Sequence, residues 1–150
     1  MIDHESQSAR TLLAIASRRS GIDAERCCLA FEHLGAADRL HRCLHSTLVR
    51  HQLSSLQFAA LVVLFDMEPE PIPMAVLAEH TAVSRSAVTD AVDKLEALRL
   101  ASRNRRDSCD RRVTHVRIST AGREKVDKVI NDYLQVAMHA SLAHFGMLSG

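Results

Sequence analysis

The chain has 150 residues, 47% of them hydrophobic, enough to bury one sizeable core, so a single structural domain is expected. Aromatic residues make up 3% and Trp is missing, which leaves almost no material for stacking the bases of single-stranded nucleic acid, and a formal charge of only +1 means that any strongly basic element is offset elsewhere. No run of about eighteen apolar residues occurs, MIDHESQSAR lacks a signal-peptide block, and Cys27, Cys28, Cys43 and Cys109 have no paired spacing, so a cytoplasmic protein with reduced thiols and no membrane partner is expected.

From Glu5 to Arg19, Leu12, Leu13, Ile15 and Ala16 predict a short amphipathic helix that breaks at Gly21. Asp23 to about His51 carries a longer helical pattern, with Leu29, Ala37, Leu40, Leu44 and Leu48 on one stripe. That apolar face is too long for one small lobe to cover, so it needs a partner. Ser54 to Asp66 reads as a buried helix with a Ser54–Gln57 capping box and Leu56, Phe58, Leu61, Val62, Leu64 and Phe65 inside, the floor of the core. Met67 to Met74 holds all the prolines and is expected to be a loop. Pro73 suits the first turn of the helix that follows, Met74 to His80, and Thr81-Ala82-Val83 makes the turn into the next.

That next helix commits Val88, Val92 and Leu95 to the core and turns Ser86, Thr89, Asp90 and Asp93 outward, with Arg85 in its first turn and Ser84 as N-cap. The period then changes to that of two strands, Leu100–Arg103 and Val113–Ile118, around the polar tip NRRDSCDR. Between Arg99 and Arg117 the arginines at 99, 103, 105, 106, 111, 112 and 117 face only Asp107 and Asp110, a local balance of +5 against +1 for the whole chain. Concentrated basic charge beside a presented helix is the pattern of a winged helix-turn-helix, with one element for each DNA groove. The blander reading is a solvated hairpin whose arginines pair with nearby acids. From Thr120 to about Phe145, Val126, Ile130, Tyr133, Ala137 and Ser141, flanked by Val129, Leu134 and Met138, predict another long helix in need of a partner.

The stretches LSSLQFAALVVL, MAVLAEHTAVSRSAVTDAVDKLEALRLASR and DSCDRRVTHVRISTAGRE, between Leu53 and Glu124, resemble the core of the MarR family of bacterial transcription regulators. The wing signature appears as Asp110-Arg111-Arg112, and the entry to the last helix as Ser119-Thr120-Ala121-Gly122. The resemblance implies a mainly α winged helix-turn-helix fold with long N- and C-terminal dimerisation helices and a two-stranded β wing. Residues 1–52 would be N-terminal dimerisation helices, 53–119 the DNA-binding lobe and 120–150 the C-terminal dimerisation helix, all in one structural domain. It further implies an obligate homodimer on a pseudo-palindromic double-stranded operator, acting as a repressor that a small-molecule effector releases, commonly a phenolic or other aromatic anion.

For DNA, hydroxyls and a guanidinium at the start of the presented helix nominate Arg85, Ser86 and Thr89 for base edges and phosphates. Asp90 departs from the basic or small residue common in relatives and is assigned to orienting a neighbouring arginine rather than to accepting from a cytosine amino group. In the tip, Arg105, Arg106 and Arg111 join the DNA contacts, Arg112 aligns with the family arginine of the minor groove, and Asp110 positions the loop. A salt bridge between Asp110 and Arg112 is the plainer alternative, but exposed pairs contribute only about 0–1 kcal/mol.

Effector candidates are His33, His41, Arg42 and His45 on the long helix with Phe58 and Leu61 on the buried one. His33 falls in the apolar stripe, where a histidine is more often a hydrogen-bonded core residue than a ligand contact. A thiol sensor is the alternative, because peroxide-sensing relatives place a reactive cysteine near Cys27 and Cys28. A helix N-terminus and Arg26 would favour ionisation there, although the usual tyrosine partners are missing and Tyr133 is far along the chain. Zinc ranks below both, since His41 and His45 supply two ligands and two are not a site, so no metal site is expected. A winged-helix protein-interaction module is a further alternative. With no phosphate loop, nucleophile elbow, HExxH or catalytic carboxylate pair, neither an enzyme nor a cofactor is expected.

Overall fold

A computed structural model describes residues 6–104 and 113–147, with side chains through residue 140. The elements in chain order are α1 (Gln7–Ala16), α2 (Ala24–Arg50), α3 (Ser55–Asp66), β1 (Ile72–Pro73), α4 (Met74–Thr81), α5 (Arg85–Ala97), β2 (Ala101–Asn104), β3 (His115–Ile118) and α6 (Thr120–Met147). They divide into two compact units. One comprises residues 1–44 with 136–150, and the other residues 45–135.

In the first unit Ser6 caps α1 through the Ala9 amide, and Gly21, at φ +82°, makes the left-handed break before α2 that a side chain would disfavour. Along α2 the expected apolar stripe is only partly covered. Leu29 and Ala37 are exposed and Leu40 is half-buried. On the part of α6 in this unit Met138 is 49% exposed, and Leu134, on the part in the other unit, is 59% exposed. No described helix is by itself long and apolar enough to cross a membrane.

The second unit holds the core. α3 starts with the expected capping box, the Gln57 amide donating to Ser54 Oγ at 3.1 Å and the Ser54 amide to Gln57 Oε1 at 2.8 Å. Its Leu61 and Leu64 meet Leu77 of α4, Val88, Val92 and Leu95 of α5, Val116 of β3, and Val126 and Val129 of α6, all essentially without solvent contact. Each large apolar side chain so enclosed stabilises the fold by roughly 1.5–3 kcal/mol. Leu48, at the end of α2, joins this cluster, and Phe58 packs on Tyr133 with ring centroids 5.0 Å apart. At the same end of α2, His51 Nε2 is hydrogen-bonded to Asp132 Oδ2 of α6 at 2.7 Å.

The sheet departs from expectation. Ile72 and Pro73, expected within a loop, form a short strand, so the wing is the larger part of a three-stranded antiparallel sheet in the order β1-β3-β2. Proline cannot donate to a ladder and is excluded from central strands, but an edge strand tolerates it. Ile72 supplies the reason for pairing, since it is buried opposite Val116 and holds β1 against β3. The register of β2 on β3 sets Ala101 against Ile118 and Asn104 against His115.

Candidate nucleic-acid interface

The presented helix is α5. Ala82 takes a left-handed conformation (φ 54°) that ends α4, and Ser84 then accepts from the Ala87 amide at 3.2 Å to start α5. Val88, Ala91, Val92 and Leu95 face the core, while Arg85, Ser86, Thr89, Asp90 and Asp93 are exposed, so the amphipathic division expected from the periodicity is present. The Thr89 hydroxyl donates back to the Arg85 carbonyl at 2.8 Å, which holds the side chain along the helix and leaves its oxygen lone pairs available. Asp90 makes no ion pair among the described residues. A groove of about 480 Å³ lies between α5, the start of α4 and the base of the sheet, with Met74, Arg85, Thr89, Arg103 and Thr114 among its walls. It mixes guanidinium and hydroxyl groups with apolar surface, the chemistry that suits a sugar-phosphate strand.

Arg103, the arginine of β2, is turned back onto α5. Its side chain, 20% exposed, reaches from β2 across to α5, where Nη1 donates to Asp93 Oδ1 and to Glu96 Oε2 (2.8 Å) and Nη2 donates to the Thr89 carbonyl at 3.2 Å. Its backbone amide donates to Glu96 Oε1 at 2.8 Å. Counting Arg103 among charges freely available to phosphate is therefore corrected, because its charge is answered by Asp93 and Glu96 and three of its guanidinium N–H groups are engaged by α5. Sequence reasoning missed this residue. The only signal was a pair of acids, Asp93 and Glu96, on a helix otherwise read as facing DNA.

The junction between sheet and α6 is built by Ser119. Its hydroxyl accepts from the Gly122 amide at 2.9 Å and donates to the Arg99 carbonyl at 2.7 Å, while its amide donates to the Leu100 carbonyl at 3.0 Å. One residue thus caps α6 and fastens it to the turn after α5. The Ser119–Gly122 entry motif is a joint between the last helix and the wing.

Among the other expected site residues, Arg105, Arg106, Asp110, Arg111 and Arg112 lie outside the described residues. His33, His41, Arg42 and His45 are all exposed on α2. His33 does make a hydrogen bond, its Nδ1 standing 2.7 Å from the Leu29 carbonyl, but the core position expected for it is corrected, since its stripe is uncovered there. Arg42 pairs with Asp38 at 2.8 Å, so part of its charge is answered within its own helix. Leu61 is fully enclosed by the core and has no surface to offer a ligand, which removes it from the effector candidates, and Phe58 is half-buried. Cys27 and Cys28 are both free thiols at the start of α2. Partial burial and the Glu32 carboxylate, 3.7 Å from its Sγ, push the Cys28 thiol above its ordinary value, and Arg26, expected to favour ionisation, pairs with Asp23 at 3.3 Å. Among the described residues no group of three or more metal-ligating side chains converges.

Residues 51–113 match a family model described as the MarR family. No curated protein matches the sequence. Among solved structures, AbsC of Streptomyces coelicolor, a MarR family transcriptional regulator, superposes with a TM-score of 0.70 at 24% identity, over 83% of each chain. Sco3205 of the same organism, a MarR family regulator solved in complex with DNA, gives a TM-score of 0.69 at 21% identity, over 83% of this chain and 78% of that one. BpsR of Bordetella bronchiseptica, whose DNA binding is regulated by 6-hydroxynicotinic acid, gives 0.62 at 21% identity, over 76% of this chain and 85% of that one. At these identities the superpositions establish a common fold.

Proposed function

We propose that the chain is a MarR family regulator, a cytoplasmic, homodimeric, sequence-specific double-stranded DNA-binding repressor released from its operator by a small organic anion; the support is the family match over residues 51–113 together with the shared fold. One observation carries the reading most directly: α5 locks one face into the core and offers Arg85, Ser86, Thr89 and Asp90 on the other, beside a sheet that runs into the arginine-rich tip. Dimerisation through residues 1–52 and 120–150 is part of the proposal. Its support is the apolar surface left open on α2 and α6, including Leu29, Leu34, Leu134 and Met138.

Selection of duplexes from a random pool tests the whole reading. The recovered sequence is expected to be a pseudo-palindrome with half-sites about 10 base pairs apart. Arg112→Ala is expected to weaken binding to it, most at A·T-rich flanks, and to reduce the salt slope by about one unit. Recovery of a single asymmetric half-site, or a salt slope untouched by the substitution, contradicts this assignment.

For the effector, His41 and His45, exposed one turn apart on α2, are proposed to receive the anionic group. The precedent for an aromatic carboxylate is BpsR with 6-hydroxynicotinic acid. Replacing both histidines by Ala is expected to leave DNA binding within about twofold of the parent while abolishing release by such anions, because substitutions at exposed sites rarely move stability by more than about 0.5 kcal/mol. Titration with a panel of aromatic carboxylates, read by fluorescence anisotropy of bound duplex, decides the matter; unaltered release in the double variant rules these histidines out.

A further inference from the structure

Arg103 addresses α5 at Thr89, Asp93 and Glu96, residues spaced four and three apart and so stacked along one stripe of the helix. A single solvent-exposed ion pair contributes little, about 0–1 kcal/mol, because two long side chains must be ordered and water screens the charge. Here one planar guanidinium is held by two carboxylates and a carbonyl, and the same residue's amide takes the second oxygen of Glu96. The geometry specifies an orientation, as a fork of donors does and a point charge does not. What it orients is the sheet that leads to the tip. β2 ends at Asn104, one residue past Arg103, and the tip sequence begins at residue 105. Otherwise α5 and β2 are joined by the short turn at Leu98–Leu100 and by packing.

We propose that Arg103 is a positioning residue which, through Asp93 and Glu96, fixes the wing against α5 so that helix and wing read DNA at one set offset. The two acids then belong on a DNA-facing element because they hold the wing, and their task is not to contact bases. The inference rests on the DNA-binding reading above and adds to it a determinant of specificity.

The test exploits an expectation that runs against simple charge counting. Asp93→Asn with Glu96→Gln keeps size and shape while removing two negative charges from the DNA side, so plain electrostatics has the variant binding every duplex more tightly. A positioning role has it binding the duplex selected by the parent about tenfold more weakly while random duplex is bound equally or more tightly. In hydroxyl-radical footprints, protection of the flanks assigned to the wing is lost and protection of the central major-groove positions is kept. Asp93→Glu with Glu96→Gln, which returns one carboxylate to the clamp, recovers at least part of the operator-to-random ratio. An unchanged or improved ratio with the full footprint retained overturns the inference. So does an equal loss on both duplexes, which would mark the clamp as structural only. Failure of the parent itself to bind duplex in a salt-dependent way is a separate outcome, which overturns the DNA-binding reading and the clamp's role with it.

Discussion

Gly122→Ala lowers the unfolding free energy by about 3 kcal/mol or more, because overpacking against atoms that cannot move lies at the costly end of such substitutions. A Cβ built at this position stands 2.0 Å from the Leu100 carbonyl oxygen and 2.9 Å from Ile118 Cγ1. The first of these is backbone, so no change of rotamer relieves it. The sign is informative, since alanine in a helix interior is otherwise favoured over glycine by about 1 kcal/mol. Here steric exclusion outweighs propensity. The first turn of α6 lies directly on the carbonyl that Ser119 also uses, and the joint between helix and wing has room only for hydrogen. For a chain of this size the loss corresponds to a fall in Tm of roughly 6–12 °C, read by thermal denaturation at a fixed protein concentration. A variant that melts at or above the parent temperature would show that α6 does not approach the sheet this closely.

Arg85→Ala combined with Thr89→Ala reduces affinity for the selected operator by about a hundredfold, with the fold intact. Specific contacts of side chains with base edges are each worth about 1–3 kcal/mol, and a combined loss near 2.8 kcal/mol is two powers of ten in Kd. Both side chains are exposed, so neither truncation opens a cavity, and alanine is the better helix former. Two measurements separate recognition from stability. Circular dichroism melting should be unchanged within about 0.5 kcal/mol, as for surface substitutions in general. Competition against random duplex should show that most of the loss falls on the selected sequence; if the two duplexes weaken together, these residues contact phosphate alone.

Opposite predicted outcomes at Gly122 and at Arg85 with Thr89 reflect how local each residue's role is. The two faces of α5, the Ser84 cap and the Ser54–Gln57 capping box follow from the sequence alone, because helical periodicity and capping act over three or four residues and need nothing from elsewhere in the chain. The lengths of α2 and α6, and the excess of apolar surface along them, are written in the same short-range pattern. Tertiary structure alone decided the rest. Ile72 and Pro73 become a strand only because Val116 and His115, distant in the chain, are brought beside them, and three nearby prolines point locally to a loop. Leu61 reads as a candidate for lining an effector site, and enclosure within the cluster beneath α4, α5 and β3 makes it core instead. The arginines of the basic stretch are equivalent in charge and propensity, yet Arg103 is committed to Asp93 and Glu96 because the register of β2 carries it over that stripe of α5. Identity and spacing along the chain determine which face a residue occupies. Which partner meets it there depends on long-range packing, and the physical role of a charge or a glycine is set by that partner.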